Sequence, residues 1–242
     1  MRIDRLLFER GLAESREKAQ AMIFAGQILV NNQKLDKAGA LVPGDADIRI
    51  LGETLPYVSR GGLKLAAALK EFGVVANGKI ALDVGASTGG FTDCLLQNGA
   101  TKVYAVDVGY GQMAWKIRQD PRVVVIERTN IRDMDPTLIP EPIDLTVIDV
   151  SFISLEKVVP HILKFLKPGS ELVALIKPQF EVGKEQVGKG GIVRDEAARN
   201  TAKNRIIESM RGLGFDVKGV ITSPITGQDG NVEFLMYATR HT

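Results

Sequence analysis

Residues 80–90, I-A-L-D-V-G-A-S-T-G-G, carry an apolar run through Asp83 into a turn made of Gly85, Ala86, Ser87, Thr88, Gly89 and Gly90. Residues 91–96 follow with helical spacing. A buried strand that passes through glycines into a helix commits a chain to α/β architecture. The glycines take left-handed dihedrals and let the backbone approach a ligand at the helix N-terminus. From residue 79 onward, strand-like runs (80–83, 102–107, 123–127, 145–149, 172–177) alternate with helix-like ones near 89–98, 112–119, 155–166 and 195–213. Such alternation predicts a mostly parallel sheet with helices on both faces. Residues 217–222 and 234–238 add two strands expected to pair antiparallel.

The spacing of the turn is G-x-x-x-G-G, not the G-x-G-x-x-G of dinucleotide folds, so the glycines alone are a weak signal. Asp83 sharpens it: an acid at the strand end repels a pyrophosphate and suits a cationic, amino-bearing ligand. S-adenosylmethionine is such a ligand, with Gly85, Ser87, Gly89 and Gly90 as its cradle. In these sheets ligands bind outside the carboxyl ends of the strands. Asp107 ends the second strand, where a carboxylate can accept from both hydroxyls of an adenosine ribose. Asp133, in N-I-R-D after the third strand, is placed to accept from the adenine amine. Asp149 ends the fourth strand and Lys177 the fifth. Any one of these could be a helix cap or a solvated loop residue; together they converge on one crevice.

Residues 1–51 form a separate unit, and 52–58, with a Gly, a Pro and no periodicity, read as a linker to a domain spanning 59–242. Two short helices are expected, the first ended by Gly11, the second capped by Ser15 and closed by Gly26. A hairpin joins 28–30 to 33–35 across Asn31-Asn32, and another strand runs over 47–51. Arg2, Arg5, Arg16, Lys18 and Lys34 stand on this unit as candidate contacts to a phosphate backbone. Charge alone does not separate them from ordinary surface cations, because the net charge of the 242-residue chain is only +2. The single cysteine, Cys94, excludes an internal disulfide, and His161 and His241 are too far apart to suggest a metal site. No apolar stretch resembles a signal peptide or a membrane span, which leads to the expectation of a cytoplasmic protein.

Methyl transfer from a sulfonium is an in-line displacement, and the nucleophile leaves its mark on the enzyme. Methylation of exocyclic amines uses a (D/N)-P-P-(F/Y) turn after the fourth strand; here the turn is Asp149-Val150-Ser151-Phe152. Methylation at cytosine C5 needs a cysteine, and Cys94 lies in the helix after the glycine-rich turn. A hydroxyl nucleophile needs a strong base, and a lysine deprived of its proton by desolvation or neighbouring charge can serve. Asp149 and Lys177, on adjacent strand ends, fit that chemistry.

The run R-L-L-F-E-R-G-L-A-E-S-R-E-K-A-Q-A-M-I-F-A-G-Q-I-L-V-N resembles the alpha-L, or S4-like, RNA-binding domain. The chain from Ser59 to Arg240 resembles the FtsJ-like ribose 2′-O-methyltransferases, whose K-D-K-E tetrad has a match in each motif. Lys64 lies in S-R-G-G-L-K-L, Asp149 in V-I-D-V-S-F, Lys177 in I-K-P-Q-F-E and Glu233 in N-V-E-F-L. The fusion of the two is the arrangement of the TlyA, or haemolysin A, family. The resemblance implies a Rossmann-like class I methyltransferase sheet behind a small α+β domain. It also implies S-adenosylmethionine as cofactor and 2′-O-methylation of cytidines in ribosomal RNA, pointing to the large subunit. It makes Lys177 the base, held by Asp149, with Lys64 and Glu233 positioning the ribose. Arg60 in the S-R-G-G motif, and Lys184 and Lys189 in a glycine-rich flap over 183–191, join the candidate RNA contacts. Two other functions compete: a membrane-active cytolysin, for which no spanning or strongly amphipathic segment is visible, and an RNA-binding assembly module with a vestigial enzyme domain.

Overall fold

The computed structural model describes residues 1–31, 33–35, 37–51, 55–227 and 230–241. The chain folds as two compact units, Met1–Thr54 and Leu55–Thr242.

In the first unit, α1 (Ile3–Glu9) and α2 (Arg16–Phe24) pack on a sheet of β1 (Ile28–Val30), β2 (Gln33–Lys34) and β3 (Ile48–Ile50) in the order β2-β1-β3. Ile3, Leu6 and Leu7 fall on one face of α1, Ala19, Met22 and Ile23 on one face of α2, and both faces bury against Ile28 and Val30. Gly11 (φ +67°) ends α1. Ser15 Oγ accepts from the Lys18 amide at 3.1 Å and so caps α2. The hairpin register pairs Val30 with Gln33 and Leu29 with Lys34; Asn32, the second residue of its expected turn, lies outside the described residues.

Asp4 is fully buried at the centre of this unit. Its carboxylate accepts from Arg2 at 3.0 and 2.9 Å, from Gln20 at 2.9 Å and from the Arg5 amide at 2.8 Å, and Arg16 lies 3.4 Å away. The Arg2 guanidinium holds this carboxyl well below the usual carboxylate range. Arg2 and Arg16 are therefore anchored from behind, yet their side chains remain 49% and 48% exposed. Arg5 pairs with Glu9 at 2.7 Å, and Lys18 and Lys34 are exposed.

The second unit runs α3 (Gly61–Phe72), β4 (Ile80–Val84), α4 (Gly90–Gln97), β5 (Lys102–Val106), α5 (Trp115–Arg118), β6 (Val123–Ile126), β7 (Ile143–Ile148), α6 (Val159–Ile162), β8 (Leu166–Ile176), α7 (Pro178–Glu181), α8 (Glu196–Gly212), β9 (Phe215–Thr222) and β10 (Phe234–Arg240). The sheet order is β6-β5-β4-β7-β8-β10-β9. The first five strands are parallel, and β10 pairs antiparallel with both β8 and β9. The strands are buried on both faces. Leu82, Val84, Ile148 and Ala174 pack with Ile206 and Met210 of α8. Ala81, Val103, Leu145 and Val147 pack with Leu65 and Leu69 of α3 and Leu95 of α4. The chain steps outward from β4 to β5 and β6, then returns to lay β7 on the other side of β4. That reversal opens a crevice over the C-terminal ends of β4 and β7.

Three sequence expectations change in the structure. The helix expected over 112–119 shortens to α5, because its first residues serve the glycine-rich turn instead: the Ala114 amide donates to the Thr88 carbonyl at 3.1 Å and Gln112 meets Ser87 Oγ at 3.2 Å. The helix expected over 155–166 breaks into a 3-10 turn at Leu155–Lys157, then α6, then another at Leu163–Phe165. Pro160 enters in the first turn of α6, where a missing N–H is tolerated but a continuous upstream helix is not. Residues 55–58, expected as linker, belong to the second unit. The Val58 amide donates to Asp93 at 2.8 Å, and Tyr57 lies over Gly62, where a Cβ would come within 2.5 Å of Tyr57 Cδ2. Among the described residues, no helix is long and apolar enough to cross a membrane.

Candidate active site

Two cavities open at the switch point, one of about 670 Å³ and one of about 450 Å³. Gly85, Ser87, Asp149, Ser151 and Phe152 line both, so the cavities meet along the glycine-rich turn and the end of β7.

The turn is built from left-handed residues: Gly85 at φ +87°, Ser87 at +47° and Gly89 at +90°. A Cβ on Gly85 would lie 2.9 Å from the Asp149 carbonyl carbon and nearer still to its oxygen. Glycine is thus required there by the end of β7 itself, where the sequence had suggested a ligand as the obstacle. A Cβ on Gly90 would lie 3.0 Å from the Gly62 amide nitrogen. The N-termini of α3 and α4 therefore meet at one wall of the larger cavity, and the positive ends of their dipoles favour a carboxylate there.

In the smaller cavity Asp107 is fixed by two backbone donors. The Ser87 amide donates to Oδ2 at 2.7 Å and the Gly109 amide to Oδ1 at 2.6 Å. Each oxygen keeps lone-pair capacity for a ligand hydroxyl. Gln112, Thr129, Asn130 and Ile131 complete the wall. Asp133 is not among them: it is exposed and lines neither cavity, because the turn after β6 carries its amide back to the Asn130 carbonyl at 3.0 Å and brings Asn130 to the wall instead.

Asp83 lies beneath the turn, fully buried and outside both linings. Thr92 Oγ1 donates to its Oδ2 at 2.6 Å, while Oδ1 has no hydrogen-bond partner among the described residues. Burial pushes this carboxyl up to about 7, against the Thr92 hydrogen bond, with the nearby Asp149 charge adding to the rise. Its folded value exceeds its unfolded one, so the native state holds a proton that the unfolded chain has lost. Stability therefore declines as pH rises from about 4 to about 7. Asp83→Asn removes that titration and can keep the Thr92 contact. The melting temperature of the variant should gain on wild type between about pH 4 and about pH 8. A difference that stays constant over this interval would exclude a raised carboxyl at Asp83.

The four tetrad residues line the larger cavity together. β7 and β8 are adjacent and parallel with Ile148 opposite Ala174, so Lys177 stands two residues beyond the position facing Asp149, and its long side chain spans that offset. Lys177 Nζ lies 2.6 Å from Asp149 Oδ1 and donates to Ser151 Oγ at 2.9 Å. β10 begins with Phe234 opposite Ile176, which brings Glu233 next to Lys177 across the antiparallel ladder. Lys64, on the first turns of α3, donates to Glu233 Oε2 at 2.5 Å, and both side chains are nearly enclosed. Lys64 is therefore ion-paired with Glu233. Removing either member would strand a buried charge.

Arg60 lines the same cavity and donates to the Thr226 carbonyl at 3.1 Å. Lys184 and Lys189 are exposed and do not line it; from their segment Val187 and Gly191 do. Sequence reasoning missed Ser151 as a partner of Lys177, although it lies in the D-V-S-F motif. It also missed Gln179, whose Oε1 is enclosed without a partner among the described residues, and the Phe152–Phe180 pair at 5.0 Å on the cavity wall.

A seven-stranded sheet with one reversed strand, and a glycine-rich turn facing a carboxylate-fixed pocket at the switch point, define a class I methyltransferase. Solved methyltransferases at 17% and 15% identity share this fold. The chain belongs to the FtsJ-like methyltransferase family, which matches residues 57–240, and carries an S4 domain over residues 1–48. It is 54% identical over 237 residues to the Bacillus subtilis protein YqxC, covering 98% of this chain and 84% of that one. It is 43% identical over 242 residues to the 16S/23S rRNA (cytidine-2′-O)-methyltransferase TlyA of Mycobacterium tuberculosis, covering 100% and 90%. A solved protein from Streptococcus thermophilus matches with a TM-score of 0.78 at 44% identity, over 100% of this chain and 88% of that one. The cofactor of the class, S-adenosylmethionine, fits the residues present: a carboxylate wall at two helix N-termini, and Asp107 with free acceptor capacity in the adjoining pocket.

Proposed function

We propose that this protein methylates the ribose 2′-oxygen of a cytidine in ribosomal RNA and works in the cytoplasm. The observation that carries the reading is the pairing of Lys177 with Asp149, 2.6 Å apart, on the wall that joins the two cavities. S-adenosylmethionine supplies an electrophilic methyl group. Gly85, Ser87, Gly89 and Gly90 would shape its cradle and Asp107 would take its ribose hydroxyls. Lys177, after losing a proton to solvent, removes the proton of the 2′-hydroxyl, while Asp149 and Ser151 hold its amine in place. The Lys64–Glu233 pair, beside Lys177 across the β8–β10 ladder, fixes the acceptor ribose. An alcohol in water is a poor nucleophile, and a base within hydrogen-bond reach in the transition state is what the reaction lacks there. The TlyA relative acts, by its name, on the same position of the same nucleotide. Arg2, Arg5, Arg16, Lys18 and Lys34 of the S4 domain, with Arg60, Lys184 and Lys189, would hold RNA phosphates.

Cofactor binding is tested by melting. S-adenosylmethionine should raise the melting temperature by mass action, and NAD should not. Gly85→Ala forces a left-handed φ of +87° on a Cβ that also meets the end of β7. It should lower the basal melting temperature and abolish the shift; a variant with an unchanged shift would remove the turn from the cofactor site. The product is tested by digesting methylated RNA to nucleosides. The added mass should sit on the sugar, and the modified position should resist alkaline cleavage, which needs a free 2′-hydroxyl. Mass on the base would overturn the assignment.

A further inference from the structure

Asn231 is a polar residue only 1% exposed, two positions before Glu233. Its Oδ1 accepts from the Val193 amide at 3.0 Å and its Nδ2 donates to the Gly191 carbonyl at 2.8 Å. Its own carbonyl accepts from the Gly227 amide at 2.8 Å. One side-chain amide thus ties the strap over residues 187–193 to the loop that carries Thr226 and Glu233. The strap is closed on itself by the Gly188 amide, which donates to the Ile192 carbonyl at 3.1 Å. The glycine-rich flap read from sequence is therefore bonded at Gly188 and at Gly191. Val187 and Gly191 from the strap, and Thr226 and Glu233 from the loop, line the larger cavity; none of the four lines the smaller one.

We propose that Asn231 is a positioning residue for the RNA acceptor: its amide holds the strap as a fixed wall of the larger cavity, in register with Glu233. A loose strap would surrender backbone entropy each time RNA ordered it, and a strap already fastened does not. A primary amide suits the task because it presents a donor and an acceptor in one plane, matching the N–H and C=O of the strap. Alanine would leave the buried Val193 amide without its acceptor, and aspartate would keep that acceptor but lose the donor to Gly191. The proposal rests on the RNA methyltransferase reading above.

The test uses the full chain with Asn231→Ala and Asn231→Asp, followed by three readouts. Trypsin cleavage after Lys189 and Arg194, located by mass, reports whether the strap is held. Titration with S-adenosylmethionine reports the cofactor side, and steady-state methylation of ribosomal RNA separates KM from kcat. For Asn231→Ala, strap cleavage and the RNA KM should each rise about tenfold, with cofactor affinity and kcat changed by no more than about threefold. Asn231→Asp should fall between alanine and wild type, and it decides the same readouts if the alanine variant does not fold. Cleavage no faster than wild type would overturn the tie. Faster cleavage with an unchanged RNA KM would overturn the positioning role. Failure of wild type to methylate RNA would overturn the functional reading instead, and the trypsin result stands apart from it.

Discussion

Lys177→Ala should leave the cofactor-dependent rise in melting temperature intact while turnover falls by roughly 10²–10⁴-fold, the range for loss of a general base. The two effects separate because of where the side chain sits. Lys177 follows β8 and lines only the larger cavity, whereas Asp107 lines the smaller one; Gly85 and Ser87 line both. Truncating the lysine removes an amine held by Asp149 and Ser151 and leaves the backbone of the turn untouched. Lys177→Arg should fail as well. A guanidinium can keep the ion pair with Asp149, but it stays protonated at any usable pH and cannot accept a proton. The arginine variant thus separates a base from a charge that merely orients the ribose. Turnover within about tenfold of wild type in Lys177→Arg would assign Lys177 an electrostatic role and remove it as the base.

The parts of this site that were legible in the sequence are those fixed by strand ends. Once 145–149 and 172–177 are read as neighbouring parallel strands, Asp149 and Lys177 leave the same end of the sheet, and the lysine side chain covers the two-residue offset between them. The glycine-rich turn is legible for the same reason: a strand, a left-handed turn and a helix admit few geometries. What the sequence withheld depends on contacts between segments distant along the chain. Lys64 and Glu233 are 169 positions apart, and their pairing follows from α3 packing beside β10, which no local pattern encodes. Asp83 carries the same acid as Asp107, one strand earlier, yet one is enclosed and the other faces a cavity. The difference is register: Asp83 lies inside β4 opposite Ala105, where Thr92 of α4 bonds it, whereas Asp107 lies one residue past the end of β5. Asp133 and Asn130 are three residues apart in one turn, and only the direction of that turn decides which reaches the wall. The broken helix at 155–165 shows the converse. Pro160 was visible, and its consequence for the residues before it follows from the missing N–H and fixed φ.

A chain beginning at Leu55 should keep the S-adenosylmethionine-dependent melting shift and lose most RNA affinity and methylation. The division is physical. Each unit has its own core, with Ile3, Leu7, Ile23 and Ile28 in the first and the sheet with its two helical layers in the second. The cut must fall at 55 and not at 59, because Tyr57 and Val58 pack on the second unit and Val58 is bonded to Asp93. The cofactor cradle and the tetrad lie wholly in the retained part. The S4 domain contributes Arg2 and Arg16, whose guanidiniums are anchored on buried Asp4 and half exposed, so they are preorganised and still able to donate outward. Phosphate contacts release counterions, and log affinity falls with log salt at a slope of roughly 0.9 per duplex phosphate neutralised. The full chain should therefore bind ribosomal RNA with a steep salt dependence and the truncated chain with a shallow one. Asp4→Asn supplies an internal control in the intact protein. It removes the charge that steers Arg2 and Arg16 while leaving both cations present, so RNA affinity should fall with little change in salt slope. Equal RNA binding and equal methylation by the chains beginning at Met1 and at Leu55 would refute the assignment of affinity to the S4 domain.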